Sequence, residues 1–76
     1  MAQTLGLKIY PNPANDYLIL EMESSDLIQV DLWNTLGQKV RSFDLDGKRV
    51  EDVSDLERGL YWLSSEGQFL GKVVLF

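Results

Sequence analysis

The chain has 76 residues, enough for one domain and too few for two, so a single small core must carry whatever it does. Hydrophobic residues make up 45% and charged ones 25%, which excludes an intrinsically disordered chain. The net charge of −5, without a basic cluster, argues against nucleic acid and anionic membrane surfaces as partners. The absence of Cys and His removes disulfides, serine or cysteine triads of the usual kind and most zinc sites.

Apolar residues recur with period two in short windows, and turn formers interrupt them about every ten residues. Residues 1–6 read as a linker or remnant and 7–76 as the domain. Leu7 to Tyr10 is the first expected strand, and Pro11-Asn12-Pro13 is a stiff connector, because two prolines fix φ and remove donors. Tyr17 to Met22 follows, with Leu18, Leu20 and Met22 on one face. In Ile28 to Trp33, Ile28, Val30 and Leu32 share one side and Gln29 and Asp31 the other.

Asn34-Thr35-Leu36-Gly37 supplies a turn, and Gln38 to Leu45 resumes extended structure with a slip of phase. Val40 falls out of register with Phe43 and Leu45, which predicts a bulge or a bend. Asp46-Gly47 reads as a two-residue hairpin into Arg49 to Val53. Ser54 is a candidate N-cap for at most one helical turn through Glu57. Gly59, expected at positive φ, opens Leu60-Tyr61-Trp62-Leu63, an apolar run that predicts a central strand buried on both faces. Glu66-Gly67 then turns the chain into Phe69 to Phe76. The fold class expected is all-β, an immunoglobulin-like antiparallel β-sandwich of about seven short strands.

No run of roughly 20 apolar residues exists to cross a bilayer, so stable membrane insertion is not expected. Met1 to Tyr10 lacks the basic start and apolar stretch of a secretory signal. Of the possible catalytic groups only carboxylates remain, and Asp44, Asp46, Asp52 and Asp55 lack the spacing of a calcium loop and read as solvated turn residues. No cofactor and no enzymatic activity are expected. Trp33, Tyr61 and Trp62 suggest a stacking platform for sugar, with Trp33 the most exposed ring, against a plainer reading as core or rim. Lys72-Val73-Val74-Leu75-Phe76 reads either as a closing edge strand or as a tag that adds to another sheet through its backbone. Such an edge also offers the isolated domain a route to a dimer, without fixing its oligomeric state.

Four motifs in order resemble one known family. Ile9-Tyr10-Pro11-Asn12-Pro13-Ala14 is similar to its opening Tyr-Pro-Asn-Pro segment. Val30 to Val40, with Leu36-Gly37-Gln38-Lys39-Val40, resembles its central strand, glycine turn and next strand. Val53-Ser54-Asp55-Leu56 followed by Gly59-Leu60-Tyr61-Trp62-Leu63 resembles its Ser-x-Leu and Gly-hydrophobic-Tyr signature, and Lys72 to Leu75 its terminal strand. The family is the C-terminal sorting domain of the type IX (Por) secretion system, type A.

The resemblance implies a non-catalytic module behind an N-terminal cargo. The type IX translocon would read it, chiefly at Lys72, Val73, Val74, Leu75 and Phe76, and a sortase-like peptidase would then remove it as the cargo is anchored. Tyr10, Pro11, Asn12, Pro13, Gly37, Leu56, Gly59 and Tyr61 would be its scaffold. The implied route runs through the periplasm to the outer membrane and the cell surface or medium. Family members commonly carry a basic residue after the last apolar run, where this chain has Phe76. The alternative reading is a carbohydrate-binding accessory module using Trp33 and Trp62.

Overall fold

The computed structural model describes residues 6–24 and 26–76, so most of the expected linker, residues 1–5, lies outside the described residues. Seven strands follow in chain order: β1 (Lys8–Tyr10), β2 (Tyr17–Glu21), β3 (Leu27–Trp33), β4 (Lys39–Asp46), β5 (Lys48–Asp52), β6 (Gly59–Ser65) and β7 (Gln68–Leu75). There is no helix among the described residues. The strands form two antiparallel sheets, ordered β1-β2-β5 and β4-β3-β6-β7. A constant-type immunoglobulin sandwich places strands A, B, E and D in one sheet and C, F and G in the other. Here the fourth strand has moved to the other sheet, beside the third.

Alternation builds the core. Leu18 and Leu20 of β2, Val30 and Leu32 of β3, Leu45 of β4, Leu63 of β6 and Val73 and Leu75 of β7 are buried, while their neighbours in sequence turn outward. The predicted slip is a bulge: Leu32 pairs with Arg41 and Trp33 with Lys39, leaving Val40 as the extra residue. Glu66 and Gly67, at φ 51° and 80°, close the β6–β7 hairpin with the two positive φ values that a type I′ turn requires.

Three local expectations are corrected. Asp46-Gly47 is not a hairpin. Of the pair only Gly47 has positive φ, and the chain crosses there to the other sheet, where β5 pairs with β2 and the Gly47 carbonyl accepts the Met22 N–H at 2.7 Å. No helical turn follows β5. The Asp52 carboxylate instead accepts the Ser54 N–H at 2.9 Å and its hydroxyl at 2.6 Å, so Asp52 is the capping residue of a β-turn closed by the Leu56 N–H on the Val53 carbonyl. Finally, β6 is interior to its sheet but wet on one face. Tyr61 and Leu63 are buried and Trp62 is exposed, because a two-layer sandwich leaves each outer sheet face to solvent.

Candidate functional site

The last strand divides its side chains between two roles. Val73 and Leu75 point into the core, whereas Lys72, Val74 and Phe76 are exposed. Its backbone is divided as well. In an antiparallel ladder alternate residues turn their N–H and C=O groups to the same neighbour, and four outward-turned groups between Lys72 and Phe76 are already occupied. The Asn12 amide donates to the Lys72 carbonyl at 3.3 Å and accepts the Val74 N–H at 3.1 Å. The Ala14 N–H donates to the Val74 carbonyl at 2.8 Å, and the Phe76 N–H to the Ala14 carbonyl at 2.9 Å.

Ala14, fully buried, forms a parallel bridge with Leu75. The end of β7 is therefore covered along its outer edge. The Tyr-Pro-Asn-Pro connector lies along it as a short parallel clasp, and its proline nitrogens, having no hydrogen, add no further rung. The Tyr10–Pro11 and Asn12–Pro13 bonds are both cis. Tyr10 itself is tied back to its sheet by its hydroxyl on the Glu21 carboxylate at 2.7 Å, and that bond holds its pKa above the ordinary tyrosine value.

The two central motifs meet elsewhere, at one end of the sandwich. The β3–β4 turn and the β5–β6 loop line a cleft of about 440 Å³ that includes Leu36, Val40, Leu56, Gly59 and Tyr61. Asn34 shapes its first wall: its side-chain oxygen accepts the N–H groups of Leu36 at 2.9 Å and Gln38 at 3.0 Å, and Gly37 turns the chain at φ 80°. Gly59 stands at φ 148°, a backbone region essentially reserved for glycine, as the sequence predicted for a positive φ here. Tyr61 is buried, and its hydroxyl donates to the Glu57 carbonyl four residues upstream, the tyrosine-corner contact of immunoglobulin-like sandwiches. Burial first, then the Glu57 charge, raises its pKa. Leu56 packs against the core beneath this loop.

Sequence reasoning missed two arginines that hold this end together. Arg58 donates to the backbone carbonyls of Asn15, Val53 and Leu56, clipping the β1–β2 connector to the β5–β6 loop. Arg41, just after the bulge, bridges the two sheets. Its guanidinium reaches buried Glu51 of β5 at 2.9 Å and both oxygens of Asp55 at 2.7 and 2.8 Å, while Arg49 meets the other Glu51 oxygen at 2.8 Å. The Arg41 hydrogen bond holds the Asp55 carboxyl below the ordinary aspartate range, and the Ser54 hydroxyl and N–H do the same for Asp52.

The remaining candidates do not assemble into a reactive set. Asp44 and Asp46 are exposed on β4, and no group of three or more His, Cys, Asp or Glu side chains able to hold a metal occurs among the described residues. Trp33 and Trp62 are cross-strand partners on the outer face of the larger sheet. Trp33, expected as the more exposed ring, is the more covered one: its indole N–H donates to the Ser64 hydroxyl at 2.8 Å, and the Lys39 ammonium stands over the ring at 5.5 Å.

Such a molecule is a small two-sheet β-sandwich. The sequence profile of secretion system C-terminal sorting domains matches residues 8–74, and the chain belongs to that family. It is a C-terminal sorting signal of type IX secretion, in a family that is not one of enzymes. This implies attachment to an N-terminal cargo, recognition by the type IX machinery and export across the outer membrane to the cell surface or beyond. Neither curated proteins nor solved structures gave a match.

Proposed function

We propose that this chain addresses a larger cargo in the periplasm to the type IX translocon, which reads Lys72 to Phe76, and that a sortase-like peptidase removes it as the cargo is anchored at the surface. The domain performs no chemistry of its own in this reading and needs no cofactor. The observation that supports β7 as the element read is its division of labour. Lys72, Val74 and Phe76 are available to a partner while Val73 and Leu75 keep the strand in the fold. A dimer through an edge strand would use β1, β4 or β5, or would have to displace the clasp on β7.

The same division dictates the test. Deleting 72–76 would remove two fully buried residues and unfold the domain, so recognition is probed by outward substitutions alone. A fluorescent reporter carrying a signal peptide and this domain is expressed in a bacterium with the type IX system, with and without Lys72→Glu, Val74→Thr and Phe76→Ser together. Export of the parent fusion and periplasmic retention of the triple variant, at unchanged melting temperature, is the expected result. Equal export of both would remove β7's outer residues from the recognition site.

A further inference from the structure

We infer that the clasp formed by Asn12 and Ala14 is an intramolecular stand-in for a partner strand, and that the β7 edge beneath it is a docking surface for a β-strand of the secretion machinery. This rests on the sorting reading above.

Four hydrogen bonds serve the outward backbone groups of Lys72, Val74 and Phe76, in the parallel sense, as an added strand would. Two of the four come from the side-chain amide of Asn12, a residue exposed to solvent, and not from backbone. A side-chain rung carries rotamer entropy that a backbone rung does not, so it is the weaker half of the ladder. Pro11 and Pro13 flank Asn12 and offer no N–H, so the clasp cannot zip further along β7. A partner strand with free backbone could supply every rung from Lys72 to Phe76, up to the bulge that β7 carries at Leu70. The segment beneath is otherwise ready. Val73 and Leu75 hold β7 to the core through their side chains, and β7 is paired with β6 along its other edge, so the clasp can leave without taking the strand with it.

Other surfaces offer less. The outer edge of β4 carries the Val40 bulge, and Arg49 donates to its Asp44 carbonyl at 3.3 Å. The cleft lined by Leu36 and Tyr61 shows nothing that would choose its occupant.

Two measurements test the inference. In native-state hydrogen exchange of the unmodified domain, the Val74 and Phe76 amides should open below the global unfolding free energy while amides of β3 and β6 should not. Asn12→Ala, which removes two of the four clasp bonds, should lower Val74 protection by roughly tenfold or more, each net hydrogen bond being worth about fivefold, with β3 unchanged. Exchange of Val74 only through global unfolding would show that the clasp is not separable and overturn the inference.

The chain has no cysteine, so a single Ala14→Cys thiol reports the clasp without background. The domain is incubated with outer membranes from a bacterium having the type IX system and from a mutant lacking it, then treated with a maleimide; Val30→Cys serves as the core control. Labelling of Cys at 14 but not at 30, only with competent membranes, is expected. Protection of both in membrane-bound domain, or labelling of both, overturns displacement. Absence of any system-dependent co-sedimentation counts against the sorting reading itself, and is distinguishable because the exchange result stands without membranes.

Discussion

Arg41 and Glu51 join the two sheets: a guanidinium nitrogen of β4 lies 2.9 Å from a carboxylate oxygen of β5, on a side chain only 9% exposed. Sheet-to-sheet contacts in a sandwich are ordinarily apolar, so a buried carboxylate here depends on its two arginines, Arg41 and Arg49, to repay its desolvation. Glu51→Gln should therefore lower stability by about 1–3 kcal/mol, because it removes charge from a paired set. Arg41→Met should cost a similar amount, since it leaves Glu51 with one partner. A double-mutant cycle by urea denaturation checks the coupling, and additive losses would deny the bridge.

Gly59 and Gly71 separate strain from crowding. An added Cβ at Gly59 meets nothing within 4 Å, yet its φ of 148° is outside what side chains tolerate, so Gly59→Ala should cost roughly 1–3 kcal/mol. At Gly71 the added Cβ would come 3.3 Å from the flexible end of Ile9, and Gly71→Ala should cost less than about 1 kcal/mol. For a domain of this size each kcal/mol shifts the melting temperature by roughly 4–8 °C, so thermal scans resolve the difference.

Tyr61→Phe keeps the buried ring and removes only the hydroxyl that donates to the Glu57 carbonyl. A loss of about 0.5–1.5 kcal/mol is expected. A neutral result would mean that the β5–β6 corner is held by Arg58 alone.

Acid should weaken the domain. Asp52 and Asp55 are held below the ordinary aspartate pKa, so below about pH 4 the unfolded chain binds protons that the folded one refuses, and stability falls with pH. Ser54→Ala, which removes the hydroxyl donor to Asp52 and leaves the N–H, and Arg41→Met, which removes the donor to Asp55, should each flatten the acid limb of the melting-temperature profile. At the alkaline end Tyr10 and Tyr61 are held above the ordinary tyrosine value, so stability should also decline as pH rises past about 10.

Much of this architecture was legible because it is local. The slip at Val40 announced the bulge, and Glu66-Gly67 announced the final hairpin, since turn chemistry and phase are written in neighbouring residues. Asp46-Gly47 misled for the same reason: a dipeptide can set φ at Gly47 but not choose β2 over β4 as the partner of the strand that follows. Glu51 turning inward past an exposed Val50 was hidden, because its cause is Arg41, ten residues away on the other sheet. The pairing of Asn12 with Val74 spans 62 residues, and no pattern within either motif implies it. The first and last motifs were each visible, but their contact was not.

That contact also gives the fold a means of proofreading its own length. The N–H of fully buried Ala14 has its acceptor on Val74, so a chain broken off before β7 would bury an unanswered donor along with the gap left by Val73 and Leu75. Folding is thereby tied to completion of the seventh strand.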